Sequence, residues 1–257
     1  SDNFAVPIRC TQNPTMGEEW RRGWDPESIK PKKTDQKALV IGSGPSGLEC
    51  TMQLARRGYH VTLAEADNKL GGRVLFESGL KGLSAWKRVS DNRIYEIQQK
   101  NNIEIYKESE LTLSHINELG INNIFLATGS SWRKDGVGRS RRKPLQGLES
   151  LQVLTPEEAI KQSPNLSGPI VVYDDEQGYL AGVIADHLSF DEHEVIFITP
   201  ASVVSPWTES TLEQKRIQKA LLVSGVNVIC NKTIDEAEGN NLNIKCVFTG
   251  EISLLQC

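Results

Sequence analysis

Three glycines near residue 45 have the spacing of a phosphate-binding loop. They lie in the stretch Gly42–Gly47, which reads G-S-G-P-S-G between a short apolar run and a helical pattern. Gly42 permits a tight turn, Gly44 lets a pyrophosphate approach the backbone, and Gly47 lets the helix pack closely on the strand. The free N–H groups and dipole of the helix N-terminus then favour an anion. The loop therefore predicts nucleotide phosphate binding by Gly42, Gly44, Pro45, Ser46 and Gly47.

A carboxylate follows where the ribose of a bound nucleotide would lie. Glu65 closes the next predicted strand, roughly 20 residues beyond the glycine loop. It would accept hydrogen bonds from the hydroxyls of an adenosine ribose and would repel a 2′-phosphate, which disfavours NADP. By itself Glu65 could be a solvated strand end, but the glycine loop favours the ribose role.

A second strand–helix–strand pattern begins at Pro169 without the glycines. The stretch Asp174–Gly178, where a second dinucleotide loop would lie, reads D-D-E-Q-G. Its three carboxylates would repel a pyrophosphate and could satisfy the N-terminus of the following helix. The next strand ends in Ile198-Thr199-Pro200, without an acidic ribose acceptor. We predict a degenerate NAD-like domain that does not bind NAD(P)H.

Alternating strands and helices must position these residues, and that alternation predicts parallel sheets. The predicted strands are 37–42, 60–65, 103–106, 123–127, 170–173, 194–199 and 226–230, and the predicted helices are 45–58, 84–100, 178–189 and 210–224. The predicted inward faces are Leu48, Met52 and Ala55; Trp86, Val89, Ile94 and Ile97; and Leu180, Val183, Ile184 and Leu188. The fold class is α/β, with two Rossmann-like domains. We expect an extended lead-in over 1–35, a nucleotide-binding domain over 36–150 and the degenerate domain over 151–257.

Composition and charge narrow the function classes. The 257 residues have a formal net charge of −4 and 38% hydrophobic residues, which is typical of a soluble globular protein and gives no reason to expect nucleic-acid or membrane binding. No apolar run approaches the ~20 residues of a membrane span, and the first residues lack a secretion signal. The five cysteines include no C-x-x-C pair, so we expect a reducing cytoplasm without disulfides. The basic run over 133–143 is expected to be a solvated loop rather than a docking patch.

Two further motifs resemble those of flavoproteins with two dinucleotide-binding domains. The stretch Glu65–Arg73, E-A-D-N-K-L-G-G-R, is similar to their second fingerprint, in which a glycine pair crosses close to the dinucleotide. The stretch Leu126–Gly129, L-A-T-G, resembles their A-T-G motif. The resemblance adds Gly72, Arg73, Thr128 and Gly129 to the predicted cofactor contacts.

The lead-in resembles one family in particular. Residues Cys10–Glu27 read C-T-Q-N-P-T-M-G-E-E-W-R-R-G-W-D-P-E. With the motifs above, they are similar to the C-terminal part of the trimethylamine dehydrogenase and histamine dehydrogenase family, which belongs to the NADH:flavin oxidoreductases with an Old Yellow Enzyme-like barrel. In that family the cysteine of this segment is the last ligand of a [4Fe–4S] cluster, which implies that Cys10 is a metal ligand whose three partners lie upstream. The resemblance implies a truncated fold, without the FMN-binding barrel and the final strands, and no amine dehydrogenase activity of this chain alone.

For the intact protein the resemblance implies oxidation of a small amine at FMN, with electrons passing through the cluster to an electron-transferring flavoprotein. It is also compatible with a homodimer. This chain would hold ADP, as in the amine dehydrogenases, or FAD, as in the reductase relatives, and the degenerate second domain favours the dehydrogenases. One alternative is a reductase of the 2,4-dienoyl-CoA reductase type, which needs a working second glycine loop. Another is a nucleotide-binding scaffold module without chemistry.

Overall fold

The computed structural model describes residues 10, 13, 15–18, 28–162, 166, 168–191 and 193–256. The chain divides into two compact units, Ser1–Ser130 and Ser131–Cys257. The predicted lead-in over 1–35 therefore lies largely outside the described residues. Its last part runs beside the end of the first helix, where the N–H of Lys32 donates to the carbonyl of Arg57 at 2.7 Å. In the described part of the chain, no helix combines the length and the apolar character that a bilayer crossing requires.

A four-stranded parallel sheet forms the first unit. The strands are β1 (Ala38–Ile41), β2 (Val61–Ala64), β3 (Ile103–Tyr106) and β4 (Asn123–Leu126), in the order β3-β2-β1-β4. The helices are α1 (Pro45–Arg56), α2 (Val74–Glu77), α3 (Lys87–Gln98) and α4 (Leu113–Leu119). Because all four strands are parallel, their carboxyl ends meet at one edge of the sheet, which is where α/β folds bind ligands.

Helix α1 positions the second half of the glycine loop, which forms its first turn. Its predicted inward face is confirmed, since Leu48, Met52 and Ala55 are buried against the apolar strands β1 and β2. Gly58 ends the helix as predicted, with a φ of +92° and its N–H on the carbonyl of Ala55. The burial of α1 holds its N-terminus at the carboxyl end of β1.

The predicted inward face of the next helix is only partly confirmed, because Ile97 is buried and Ile94 packs against the apolar cluster whereas Trp86 is exposed. The predicted helix 84–100 is a 3-10 turn at Ser84–Trp86 followed by α3, and Trp86 is 36% exposed. The buried residues of α3 are Ser90, Arg93 and Ile97, whereas Val89 and Ile94 are only partly buried. Arg93 points inward because its Nε donates to Oε2 of Glu49 on α1 at 2.7 Å. A charged pair thus takes a place that periodicity assigns to apolar side chains.

The second unit contains a parallel and an antiparallel sheet. The parallel sheet has the order β5-β6-β7, with β5 (Ile170–Tyr173), β6 (Val195–Ile198) and β7 (Asn227–Ile229), and its helices are α5 (Pro156–Gln162), α6 (Leu180–Phe190) and α7 (Gln214–Val223). This confirms the predicted second Rossmann-like pattern and the inward face of α6. The antiparallel sheet β8 (Lys232–Glu238), β9 (Asn241–Cys246) and β10 (Ile252–Gln256) was not predicted.

Two boundaries differ from those predicted. The units divide at Ser130 rather than near 150, because Leu145 packs in the apolar cluster of the antiparallel sheet and the N–H of Ala237 donates to the carbonyl of Gln146 at 2.9 Å. Helix α7 begins at Gln214 rather than at 210, because Leu212 has a φ of +61°, which no α-helical residue adopts.

Candidate nucleotide-binding site

The two outer glycines of the loop are required by packing. A Cβ on Gly42, whose φ is +98°, would lie 2.4 Å from the carbonyl oxygen of Ala127. A Cβ on Gly47 would lie 1.9 Å from the carbonyl oxygen of Gly42. Both obstacles are backbone atoms, so only glycine lets β1, α1 and the residue after β4 approach this closely.

Gly44 faces open space instead. A Cβ there would meet no atom within 4 Å, and its φ of −62° and ψ of 175° are open to any residue. Gly44 is the N-cap of α1, which has no side-chain cap and no acidic residue in its first turn. Pro45 and the exposed Ser46 complete that turn. The helix therefore begins without a side-chain cap beside open space, and its N-terminal N–H groups and the positive end of its dipole favour an anion there.

Glu65 lies beside the loop as predicted, but its immediate partner is a residue to which the sequence assigned no role. Its Oε2 accepts the backbone N–H of Ser43 at 2.7 Å and the Ser43 hydroxyl, and its Oε1 accepts the N–H of Asp67 at 2.9 Å. Partial burial opposes ionisation, but these donors outweigh it and lower the pKa of Glu65. A charged acceptor is thus held at the end of β2, and a ribose hydroxyl there would share it with Ser43.

The pH dependence of folding tests this arrangement. Because the folded-state pKa of Glu65 lies below its ordinary value of 4.5, its contribution to stability is fully present above pH 4.5 and is lost as the pH falls through the lower folded-state value. We expect Glu65→Gln to lack that part of the acid destabilisation, as measured by urea unfolding at neutral pH and below pH 4.5. Glu110→Gln, the same change at an exposed position, is the control. An unchanged pH profile in Glu65→Gln would contradict the assignment.

The predicted second and third motifs meet the glycine loop at the same sheet edge. A Cβ on Gly72, whose φ is +59°, would lie 2.9 Å from Cα of Gly44, so the glycine pair crosses directly beside the loop. Arg73 donates through Nη2 to the carbonyl of Ser130 at 2.9 Å, which ties this turn to the chain just after Thr128 and Gly129. These residues thus lie beside the loop, whereas their contacts with a cofactor remain predictions.

The corresponding turn of the second unit is closed by its own side chains. Asp174 is 1% exposed, and its Oδ1 accepts the N–H of Gln177 at 2.8 Å. Burial raises the pKa of Asp174 to about 6 despite that bond and one from the hydroxyl of Thr199. Thr199 directly follows β6, at the position where a ribose acceptor would lie. The prediction that these carboxylates cap the following helix is wrong for Asp174 and Asp175. Asp174 closes the turn before α6, and Asp175 accepts N–H groups from residues 139–140 in a different loop. The absence of NAD(P)H binding stays a prediction.

Cys10, the predicted iron ligand, lies in the lead-in. It is partly buried, and its Sγ accepts the backbone N–H of Asn13 at 3.5 Å. Among the described cysteines, Cys10, Cys50, Cys230 and Cys246 form no disulfide. Its role as a ligand remains a prediction from resemblance.

The glycine loop, the carboxylate at the end of β2 and the two later turns lie together at one edge of the sheet, as the resemblance to flavoproteins predicts. A model of the pyridine nucleotide-disulphide oxidoreductase family matches residues 12–81 and 36–257. The chain belongs to this family. The match covers both units, so the α/β fold class with Rossmann-like domains is confirmed.

Individual relatives agree with the resemblance read from the sequence. The chain is 43% identical to histamine dehydrogenase from Rhizobium sp. 4-9, with a TM-score of 0.95 over all of this chain and 38% of that one. It is 36% identical to 6-hydroxypseudooxynicotine amine oxidase from Pseudomonas geniculata N1, with a TM-score of 0.91 over 97% of this chain and 38% of that one. It is 33% identical to dimethylamine dehydrogenase from Hyphomicrobium sp. (strain x) over 88% of this chain and 31% of that relative.

The chain therefore spans between 31% and 38% of the length of these three relatives, and it matches their C-terminal part. The predicted resemblance to the trimethylamine dehydrogenase and histamine dehydrogenase family is confirmed. The names of all three relatives describe oxidoreductases that act on amines.

Proposed function

We propose that this chain is the adenine-nucleotide-binding portion of an amine dehydrogenase and that the nucleotide it holds is ADP. The observation that carries the proposal is the uncapped N-terminus of α1 at Gly44, which faces open space beside the carboxylate of Glu65. One end of this edge suits a pyrophosphate and the other suits a ribose. ADP supplies both groups and needs nothing from the second unit.

The N-terminus of α1, Glu65 and Gly72 have different roles in binding the nucleotide. The N–H groups at the start of α1 bind the phosphates, Glu65 accepts from the ribose, and Gly72 keeps the neighbouring turn close without a side chain. FAD contains the same ADP moiety and would add a flavin for electron transfer. The acidic turn Asp174–Gly178 supports ADP over FAD, since a reductase that passes hydride from NAD(P)H to FAD needs a second pyrophosphate loop.

The nucleotide that purifies with the intact protein tests this proposal. We expect acid extraction followed by chromatography and mass spectrometry to release about one ADP per chain, as a single site requires. The visible spectrum should contain no second flavin beyond the FMN of the intact protein. Release of FAD would favour the reductase type, and a protein that neither retains nor binds any adenine nucleotide would contradict the site.

We further propose that the intact protein oxidises a small amine at FMN held outside this chain and passes electrons to an electron-transferring flavoprotein. The intact protein is proposed to be a homodimer and to act in the cytoplasm. Its support is the identity of 33% to 43% with relatives that are named amine dehydrogenases. In this scheme Cys10 supplies one of the four thiolates that a [4Fe–4S] cluster normally needs.

The cluster assignment predicts a separable effect of Cys10→Ala in the intact protein. We expect loss of most of the iron and of the cluster signal in electron paramagnetic resonance, since three thiolates hold such a cluster poorly. Reduction of FMN by the amine should survive, while electron transfer to the acceptor should slow about tenfold or more. Cys50→Ala is the matched control, because this thiol lies on α1. Full iron content in Cys10→Ala would show that Cys10 is not a ligand.

A further inference from the structure

A loop of the second unit is held by a carboxylate that the chain itself supplies. Asp175 lies two residues beyond the end of β5, and its carboxylate accepts the backbone N–H groups of Arg139 and Ser140, the latter at 2.8 Å. Two successive N–H groups directed at one anion are the arrangement that proteins use to bind phosphate and carboxylate. The ligand of this pair of N–H groups is a side chain.

The loop has room for that carboxylate only because residue 138 is glycine. A Cβ on Gly138 would lie 2.1 Å from Oδ2 of Asp175. The φ of Gly138 lies outside the left-handed region, so its backbone would accept alanine. Glycine is therefore required at 138 to leave room for the carboxylate of Asp175, and not by the backbone conformation of residue 138.

Residues 138–141, here called the strap, form a turn closed by an internal hydrogen bond, and the side chains of Arg139 and Arg141 anchor it. The N–H of Gly138 donates to the carbonyl of Arg141 at 2.9 Å, and Nη2 of Arg141 donates to the carbonyl of Asp235 at 2.6 Å. The guanidinium of Arg139 lies 4.8 Å from the ring centre of Trp207. The strap thus joins the antiparallel sheet to the 3-10 turn at Pro206–Glu209 while Asp175 holds its middle.

The turn that carries Asp175 is also held by hydrogen bonds. The N–H of Trp207 donates to the carbonyl of Gln177 at 3.2 Å. Gln177 has a φ of +62°, and its own N–H donates to the buried carboxylate of Asp174. Asp174 faces inward and fixes the turn, whereas Asp175 faces outward and binds the strap. The two neighbouring carboxylates therefore have different tasks.

We propose that the backbone N–H groups of Arg139 and Ser140 form an oxyanion site whose resident ligand is Asp175, and that this contact closes the phosphate position of the second unit. A pyrophosphate would approach at the turn between β5 and α6, as in dinucleotide-binding folds. There it meets the strap and a tethered carboxylate, which competes with a free anion as an intramolecular ligand. The exposed carboxylate of Glu176 adds repulsion. The inference concerns the second unit alone and does not depend on the nucleotide site of the first.

Trypsin reports directly on whether the strap is held. The strap and the residue after it contain Arg139, Arg141 and Arg142 as cleavage sites, whereas Lys143 is protected by the following Pro144. In Asp175→Ala we expect cleavage within 139–143 to become about tenfold faster, since two hydrogen bonds to a charged group are lost and cleavage follows the opened population. Glu176→Gln, which changes the same charge in the same turn without touching the strap, should behave as the wild type. Acetate and inorganic phosphate, each compared with chloride at equal ionic strength, should slow cleavage of Asp175→Ala but not of the wild type.

Gly138→Ala separates the anion site from the carboxylate. Its methyl group would displace Asp175 and fill the space beside the two N–H groups, so cleavage should accelerate and acetate should give no protection. Unchanged cleavage in Asp175→Ala, or equal acceleration in Glu176→Gln, would overturn the proposal. So would acceleration in Asp175→Ala that neither anion slows. Cleavage that rises equally at Lys219 and Lys245 would indicate general unfolding of the unit and would also overturn it.

Discussion

Gly44→Val is expected to abolish ADP binding while leaving the fold intact. The backbone of Gly44, with φ of −62° and ψ of 175°, suits a β-branched residue, and a Cβ there meets no atom within 4 Å. The valine methyl groups would occupy the space before the first N–H groups of α1 and keep the pyrophosphate from them. We expect an increase in the Kd for ADP of about a hundredfold or more, measured by titration calorimetry after removal of resident nucleotide. The free energy of unfolding should change by only about 0.5 kcal/mol.

Gly44→Ala provides the graded control for this prediction. A single methyl group fills less of the same space, so the loss of affinity should lie between those of the wild type and Gly44→Val. Equal ADP affinity in the wild type and Gly44→Val would show that the nucleotide does not approach the loop at Gly44. In that case the open space at the helix N-terminus would have no part in binding.

The glycine loop was predictable because each glycine answers a local requirement. The tight turn at Gly42 and the close packing at Gly47 follow from the order strand, loop, helix, which is visible in the sequence. The contact between Ser43 and Glu65 was not predictable in the same way. It depends on the register in which Ile41 of β1 lies opposite Ala64 of β2, and the sequence does not state that register.

The differences elsewhere in the fold share a cause, which is contact between residues far apart in sequence. Periodicity places Arg93 on the same face of α3 as Val89 and Ile97, but nothing nearby in the sequence indicates that Glu49 will meet it there. The contact of Gln146 with Ala237 assigns residues 131–150 to the second unit, although the polar, Pro-containing stretch after 150 predicts a later boundary. The β8–β9 hairpin does have a local signal in Gly239-Asn240, a pair typical of two-residue turns, which polar and apolar residues follow in alternation over 241–245.

Gly47→Ala is expected to destabilise the first unit more than any other single methyl group considered above. Its Cβ would lie 1.9 Å from the carbonyl oxygen of Gly42 and 3.2 Å from Cβ of Ala127, and neither a backbone carbonyl nor a residue after β4 can turn aside as a flexible side chain does. Helix α1 would have to move away from β1, which would also spread the phosphate loop. We expect a loss of about 3 kcal/mol or more in the free energy of unfolding, measured with urea. Gly44→Ala is again the matched control: the same change three residues earlier meets no atom and should be neutral or stabilise by up to about 1 kcal/mol, since it restricts the unfolded chain. A Gly47→Ala protein as stable as Gly44→Ala would mean that α1 does not pack against the loop at the distance that the structure gives. The close approach of helix and strand, on which the placement of the phosphate site depends, would then be wrong.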